Sequence, residues 1–394
     1  MSANAPSGRH GEGISARTDV PFSELTTLRV GGPAARAITA GDAETLVARV
    51  RELWEEDEPW ILLGGGSNTV MCDEGFPGTV LLVRSSGMER IADEALPEGK
   101  IRLRVQAGQD WDGVVAACVE RGWSGIEALS GIPGSAGAAP VQNIGAYGQE
   151  LSDVLHSIEF LDRERGEVLR LSAAELELDY RSSVIKTGRE GVVLSIDILL
   201  DEHPDQENPL SMPIAYGQLA DELGATIGDR VSLRELRRAV IRLRASKGMV
   251  LDEADRDSRS AGSFFTNPIV SEHFARELPA SAPRFPVLTR EPEAAVTTFE
   301  ELAAGVSLRV PQPSPPRRVK LSAAWLIEHA GIERGFRLPG SGAAISSKHT
   351  LAIVNCGAAT AADVAQLARY VVQRVQSEFG VILHPEPNLY GIEL

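Results

Sequence analysis

Over residues 26–85 the pattern of apolar and polar positions switches between strand and helix signals, which predicts an α/β unit. Apolar residues recur at helical spacing after Asp42, a typical N-cap residue, while the runs 60–63 and 79–83 favour strands. The first of these strands leads directly into Gly64-Gly65-Gly66-Ser67-Asn68, which we call the triple-glycine turn. A strand that feeds a glycine turn is a place where backbone contact with a ligand is expected.

A second group of strand and helix signals follows over residues 101–200. Strict alternation over 101–107 predicts a half-buried strand, and apolar residues at helical spacing from Trp111 predict a helix that ends at Gly122. Residues 157–171 are typical of a hairpin, and 192–200 of a further strand. Strands and helices together therefore indicate a mixed fold.

The C-terminal part shows helices separated by polar and proline-rich segments. A helix is predicted to begin at Ser232, with Glu235 completing a capping box. The small, polar segment 252–262 is a candidate boundary, and the proline-rich stretch 279–318 suggests a long excursion over the surface. A short helix is expected over 320–330. A final helix is predicted from apolar residues at helical spacing, namely Val364, Leu367, Val371, Val375 and Phe379.

Glycine is concentrated in residues 122–148, the glycine stretch, which holds seven of the 38 glycines of the chain. Such a backbone adopts unusual φ values or lies close to another group. A flexible linker is the alternative, but the interleaved Ile132 and Val141 argue for packing, so we favour a ligand-binding loop. Polar groups that could meet this ligand belong to Gln142, Asn143 and Tyr147.

The triple-glycine turn is less specific by itself. It lacks the third glycine of a GxGxxG dinucleotide fingerprint, and the chain has no GxxxxGK[ST], HExxH or GxSxG motif. Successive backbone N–H groups there could converge on a phosphate, with Ser67 and Asn68 as further donors. A plain strand-to-loop turn explains the same residues about equally well.

Composition narrows the class of protein. The chain has 394 residues, too many for one core, and 39 Lys+Arg against 55 Asp+Glu give a formal charge of −16. This acidic balance disfavours nucleic-acid and membrane-surface partners, and no apolar run approaches the roughly 20 residues that span a bilayer. Three widely spaced cysteines form neither a disulfide framework nor a metal motif. We expect a cytoplasmic protein with a disordered tail over 1–19.

Several longer motifs occur in a fixed order. They are TTLRVGGPA from Thr26, GGGSN, GIPGSAGAAPVQNIGAYGQE at 131–150, DYRSSVIK at 179–186, AGSFFTNP at 261–268, Lys348-His349 and LHPEP at 383–387. With these motifs the chain resembles the UDP-N-acetylenolpyruvoylglucosamine reductases, flavoenzymes that make UDP-N-acetylmuramate for bacterial peptidoglycan. The resemblance covers nearly the whole chain beyond the tail.

The resemblance implies an α+β fold in several parts. A two-part FAD-binding domain of the vanillyl-alcohol oxidase/PCMH type would be joined to a C-terminal α+β substrate-binding domain. The boundaries that follow are 20–85 together with 388–394 for the first FAD subdomain, 86–250 for the second, and 251–387 for the UDP-sugar domain.

The resemblance also implies the reaction. NADPH would reduce a noncovalent FAD, and UDP-N-acetylglucosamine enolpyruvate would then take the place of the nicotinamide. Arg181 would clamp the substrate carboxylate, Ser263 would supply the proton, and Glu386 would help to polarise the carboxyl group, which requires a raised pKa.

Binding residues are carried over in the same way, and no metal ligand is implied. Substrate contacts would come from Tyr216, Lys247 and Asn267. FAD contacts would come from Gly64, Gly65, Gly66, Ser67, Asn68, Gly131, Pro133, Gly134, Gln142, Asn143, Gly145, Ala146, Tyr147, Gly148 and Arg244.

Each of these residues also has an ordinary structural explanation. Taken singly, Arg181 could be a surface arginine, Ser263 a turn residue, and Lys247 a cation at a helix C-terminus. Two other functions therefore stay open at this point: an FAD-dependent oxidase or dehydrogenase of the same flavin fold, and a noncatalytic nucleotide-binding module.

Overall fold

The computed structural model describes residues 16–203, 207–287, 304 and 317–394, and it confirms the mixed α+β class. The strands are β1 (Ala16–Pro21), β2 (Pro33–Ala40), β3 (Trp60–Leu63), β4 (Thr69–Met71), β5 (Phe76–Val83), β6 (Met88–Ile91), β7 (Lys100–Gln106), β8 (Trp123–Ser124), β9 (Gly145–Ala146), β10 (Gln149–Glu150), β11 (Leu155–Asp162), β12 (Val168–Ser172), β13 (Gly191–Glu202), β14 (Ile269–Ser271), β15 (Arg284–Val287), β16 (Arg318–Leu321), β17 (Ala343–Ile345), β18 (Ile353–Asn355) and β19 (Asn388–Tyr390). The helices are α1 (Phe22–Leu25), α2 (Ala43–Glu55), α3 (Trp111–Glu120), α4 (Gly217–Leu223), α5 (Leu233–Ser246), α6 (Glu272–Glu277), α7 (Ala323–His329) and α8 (Ala361–Phe379).

The first sheet has the strand order β1-β2-β5-β3, in which β2, β5 and β3 are parallel and β1 is antiparallel to β2. Helix α2 begins as predicted, because the Asp42 side chain accepts a hydrogen bond from the backbone N–H of Thr45. Its buried face packs on the sheet. Strand β3 ends at Leu63, so this sheet delivers the triple-glycine turn at its edge.

The second sheet has the order β12-β11-β13-β7-β6, and each strand is antiparallel to its neighbours. The predicted hairpin is confirmed by β11 and β12, and the predicted helix from Trp111 by α3. The glycine stretch is joined to the end of β7, since the N–H of Gly137 donates to the carbonyl of Ala107 at 2.8 Å. The two sheets thus place both glycine segments side by side.

The third region holds the small sheet β14-β16-β15, the pair β17-β18, and helices α7 and α8 around one core. The predicted final helix is confirmed as α8, which carries a capping box between Thr360 and Asp363. After it the chain returns to the first region, where β19 runs parallel to β4. The domain boundaries expected from the sequence stay predictions.

One sequence expectation about an irregular segment is wrong, and a second segment contains a strand where it can be compared. Residues 16–19 of the expected disordered tail belong to β1, because their backbone pairs with β2, and 1–15 lie outside the described residues. Within the expected surface excursion 279–318, residues 284–287 form β15 and pair with β16. The rest of that excursion is largely outside the described residues.

The helix expected from Ser232 is confirmed, since α5 begins at Leu233 with Ser232 as its N-cap residue, but the expected capping box is wrong because the Ser232 side chain makes no cap hydrogen bond. One expected helix start is also wrong. The helix expected from 320 begins only at Ala323, because Lys320 and its neighbour lie in β16 and Ser322 caps the helix.

None of the helices in the described ranges combines the length and apolar character needed to cross a membrane.

Candidate active site

Two glycine segments meet in direct backbone contact and form a first cavity. A Cβ placed on Gly65 would lie 2.7 Å from Cα of Gly134, and one on Gly64 would lie 2.4 Å from Oγ of Ser135. Glycine is required at position 65, because its neighbour there is backbone, whereas a side chain at position 64 would require the Ser135 hydroxyl to move. Of the predicted ligand-binding residues, this cavity is lined by Gly64, Gly65, Gly66, Ser67, Asn68, Pro133, Gly134 and Gln142.

Polar side chains lock the two segments together. The hydroxyl of Ser67 donates to the carbonyl of Pro133 at 2.9 Å, and Nδ2 of Asn68 donates to Oε1 of Gln142 at 2.8 Å. These bonds hold the predicted donors of the triple-glycine turn against the glycine stretch. The turn is therefore one wall of a cavity rather than an isolated strand-to-loop connection.

A second cavity continues from the first, with which it shares six lining residues, including Ser67 and Gln142. Its further walls come from distant parts of the chain. Of the predicted site residues, it gathers Gly145, Ala146, Tyr147, Arg181, Tyr216, Arg244, Lys247, Ser263 and Glu386. Side chains from all parts of the fold thus converge on one cleft.

Ser263 and Glu386 come together because their segments pair as short antiparallel strands. Phe265 forms a bridge with Pro385, and the N–H of Glu386 donates to the carbonyl of Phe264 at 2.9 Å. The chain then continues into β19 beside β4. The C-terminal segment consequently links the Ser263 loop to the triple-glycine turn.

Arg181 is held rigidly at the edge of the glycine stretch. Its backbone is left-handed, with φ of 53°, and its guanidinium donates to the carbonyls of Asn143 at 3.2 Å and Gly145 at 2.8 Å. Nε lies 3.2 Å from Oε1 of Glu386. Three separate contacts thus fix one guanidinium, which is the preorganisation that a carboxylate clamp needs.

The pKa of Glu386 is raised, as the sequence analysis predicts. Burial is the main cause and favours the neutral carboxyl, whereas the positive charges of Arg181 and Lys186 oppose the shift. A buried carboxyl of this kind can hold a proton and donate a hydrogen bond.

Arg244 and Lys247 add positive charge to the lining of the second cavity. Burial lowers the pKa of the Arg244 guanidinium, and its Nε is buried without a hydrogen-bond partner among the described residues. Lys247 lies with Nζ 5.5 Å from the ring centroid of Tyr147 and donates to Oε1 of Gln218 at 2.7 Å. Desolvated cations facing a cavity favour an anionic ligand there. Arg244 lines this cavity and not the first one, so it lies with the predicted UDP-sugar residues.

Four of the predicted site residues line neither cavity. Asn267 lies in a neighbouring groove, where its Oδ1 accepts from the N–H of Ala323 at 2.9 Å at the start of α7. Asn143 is buried and acts through its carbonyl. Gly131 and Gly148 allow close packing, since a Cβ on either would lie within 2.8 Å of a neighbouring side chain.

Two ionisable residues in the lining of the two cavities were not predicted. His349 lines the second cavity and Lys186 the first. Both sit inside quoted motifs, so the motifs themselves were the available signal. Neighbouring Lys348 turns away, with Nζ 2.8 Å from Asp255.

Comparison with known proteins gives the following relationships. A family model described as UDP-N-acetylenolpyruvoylglucosamine reductase, C-terminal domain, matches residues 253–390, and a model described as FAD binding domain matches 34–172. A protein of Leifsonia xyli named UDP-N-acetylenolpyruvoylglucosamine reductase is 59% identical over 381 residues, covering 96% of this chain and 100% of the relative. One of Saccharopolyspora erythraea with the same name is 46% identical over 384 residues, covering 97% and 98%.

A solved structure is similar over the same length. The crystal structure of the corresponding reductase from Thermus caldophilus has a TM-score of 0.58 and 24% identity, and covers 96% of this chain and 98% of its own. At this identity the similarity shows a shared fold.

We predict that His349 stays neutral in the folded protein throughout the physiological pH range. Burial, with the positive charges of Lys247 and Arg334, lowers its pKa to about 4. The unfolded chain takes up a proton near the ordinary value of about 6.5, so the stability contribution of neutral His349 is lost as the pH falls from about 6.5 towards 4. The stability difference between wild type and His349→Asn should shrink over that interval.

The imidazole shift can be followed directly by NMR, with His349→Asn identifying the signal. A titration midpoint above pH 6 would contradict the prediction.

Proposed function

Because the chain belongs to the UDP-N-acetylenolpyruvoylglucosamine reductase family, we propose that it reduces UDP-N-acetylglucosamine enolpyruvate to UDP-N-acetylmuramate, using bound FAD and electrons from NADPH. The observation that carries this proposal is the convergence of Arg181, Ser263 and Glu386 on one cleft that continues into the glycine-lined cavity. Peptidoglycan precursor synthesis in the cytoplasm is the role that we propose.

The residues of the two cavities fit FAD. Glycine is required where the triple-glycine turn meets Gly134, which leaves backbone open to an extended ligand. Arg244, whose Nε is buried without a hydrogen-bond partner among the described residues, would meet an oxygen atom of the cofactor in the second cavity. Gly64 to Asn68, Pro133, Gly134 and Gln142 would hold the cofactor noncovalently.

When bound, FAD would supply the two-electron chemistry by which electrons from NADPH reach the enolpyruvyl double bond. The protein must then stabilise the negative charge on the carbon next to the carboxylate and deliver a proton to it. These two tasks fall to residues that the fold brings together.

Arg181 would hold the substrate carboxylate. The carbonyls of Asn143 and Gly145 hold its guanidinium in position, so the positive charge is oriented before substrate binds. Glu386, with its raised pKa, would donate a hydrogen bond to the same carboxylate while neutral. Both groups would draw charge away from the reacting carbon.

Ser263 would deliver the proton to that carbon. An ordinary hydroxyl is a weak acid, so this step depends on the enolate-like charge developing beside it. The half-buried position of Ser263 in the cleft supports this role. The anion left on Ser263 would be reprotonated from solvent after product leaves.

Other residues of the second cavity would bind the nucleotide sugar. We propose Tyr216 and Lys247 for this contact, since both line the cavity beside Tyr147. Asn267 would contribute indirectly. Its Oδ1 already accepts a hydrogen bond from the N–H of Ala323, so it would help to fix the start of α7.

The first test is the activity itself. Purified protein should be yellow and should oxidise NADPH in repeated turnovers only when UDP-N-acetylglucosamine enolpyruvate is present, as followed by stopped-flow absorbance. A colourless protein, or NADPH oxidation indifferent to that sugar nucleotide, would refute the proposal.

The cavity predicts a specific effect on FAD. Gly65→Ala places a methyl group 2.7 Å from Cα of Gly134 and should force the two glycine segments apart. We expect FAD binding to weaken by about tenfold or more, as overpacking costs of this kind imply. Retention of flavin absorbance during gel filtration measures it.

The matched control is Gly41→Ala, where a Cβ meets nothing within 4 Å. Equal flavin loss from both variants would show that the contact with Gly134 is not responsible.

The role of Ser263 separates the two half-reactions. Ser263→Ala should leave bleaching of the flavin by NADPH near the wild-type rate, whereas reoxidation by the sugar nucleotide should slow by about 10²- to 10⁴-fold, because only that step needs the proton. Stopped-flow absorbance follows both steps.

As a control, Ser246→Ala removes a hydroxyl on α5 that only donates to the carbonyl of Leu243. If Ser263→Ala slowed both half-reactions to the same extent, Ser263 would not be the acid.

A further inference from the structure

Glu127 is a fully buried carboxylate in the glycine stretch, 0% exposed. One oxygen accepts from the N–H of Gly125 at 2.6 Å, and the other accepts from the N–H of Met212 at 2.5 Å. Burying a carboxylate is costly unless hydrogen bonds satisfy it, and here backbone amides do so. The bond to Met212 joins positions 85 residues apart, so Glu127 is a tether between two segments.

The tethered segment, residues 209–216, is held from two sides. On one side, the N–H groups of Ser211 and Ile214 donate to the carbonyls of Val231 and Asp229. On the other side, the N–H of Met212 points to Glu127. The Glu127 carboxylate therefore links the segment 209–216 to the glycine stretch at Met212.

A second contact lies a few residues further on. A Cβ on Gly148 would lie 2.7 Å from Cβ of Ala215, so the two backbones are packed closely. Ile214 is buried in the same cluster as Ala128, next to Glu127. The segment 212–215 consequently rests on both ends of the glycine stretch.

Tyr216 follows directly and lines the second cavity. It is the N-cap residue of α4, and its ring meets that of Tyr147 edge-on at 5.6 Å between centroids. Tyr216 is 44% exposed, so packing alone does not fix the position of its ring. That position therefore depends on the backbone of the segment that carries it.

We infer that Glu127 is a positioning residue for the sugar-nucleotide substrate: through Met212 it sets the segment that carries Tyr216 over the cleft. This inference rests on the proposed function of Tyr216. Glu127 touches neither cavity wall, so its effect on the reaction passes through the backbone. Loss of the tether would lower affinity for the nucleotide sugar while leaving the acid, the carboxylate clamp and the flavin-binding glycines in place.

The test uses the FAD-loaded enzyme and two substitutions. Glu127→Asp keeps the charge and can keep the local bond to Gly125, but it is one methylene too short to reach Met212. Glu127→Gln keeps the length of the side chain, but its amide NH₂ group cannot accept a hydrogen bond, so the N–H of either Gly125 or Met212 loses its acceptor. We expect each to weaken binding of UDP-N-acetylglucosamine enolpyruvate by about tenfold, the usual effect of losing a charge-assisted hydrogen bond. The titration follows the flavin absorbance of oxidised enzyme and needs no turnover.

A steady-state measurement and a double-mutant cycle separate positioning from general damage. KM for the sugar nucleotide should rise about tenfold with kcat within about twofold of wild type. In a Tyr216→Ala background, Glu127→Asp should add little, because the side chain that it positions is gone. Glu235→Gln, which removes an exposed carboxylate on α5, should bind like wild type.

Three results would overturn the inference. These are wild-type affinity in Glu127→Asp, a fully additive loss in the double variant, and loss of FAD from Glu127→Asp in parallel with loss of sugar affinity. Should Glu127→Gln fail to fold, Glu127→Asp decides. The proposed function fails by a different result, namely absence of sugar-dependent NADPH oxidation in the wild type.

Discussion

Close backbone contact between the triple-glycine turn and the glycine stretch is the constraint on which the rest of the site depends. Gly65 and Gly134 approach so closely that a single methyl group would part them. Each segment leaves a different sheet, so the contact also sets how the two sheets meet. Because the walls of the first cavity are backbone, their shape is largely independent of side-chain rotamers.

The same contact determines where the reacting groups lie. Carbonyls of the glycine stretch accept from Arg181, and Arg181 in turn lies beside Glu386. Glu386 is carried by a segment that pairs with the Ser263 loop and then returns to β4. Side-chain and backbone hydrogen bonds therefore connect the glycine stretch, through Arg181 and Glu386, to the segment that carries the proton donor we propose. The guanidinium of Arg181 is oriented by main-chain carbonyls before substrate binds.

Charge in this protein acts locally. A chain at −16 repels anions at long range, yet every ligand that we propose is anionic. The second cavity resolves this by gathering Arg181, Arg244 and Lys247, with the two latter cations desolvated at one end. Solvent and salt screen the distant surface charge, whereas cations inside a cleft interact with a ligand over a few ångströms. The acidic surface is therefore compatible with nucleotide ligands but still disfavours nucleic acid.

By itself, the sequence determined the family, the mixed fold class, the longer helices and strands, and the groups that converge on the cleft, because these depend on periodicity and on motifs that are local in the chain. Tertiary structure decided what depends on contacts between distant segments. It moved the start of α7 past Lys320, left Ser232 without a cap hydrogen bond, and placed the Asn267 side chain at the start of α7. It also revealed His349 in the cleft and the tether from Glu127 to Met212, since a hydrogen bond between residues 85 positions apart leaves no periodic signal in sequence.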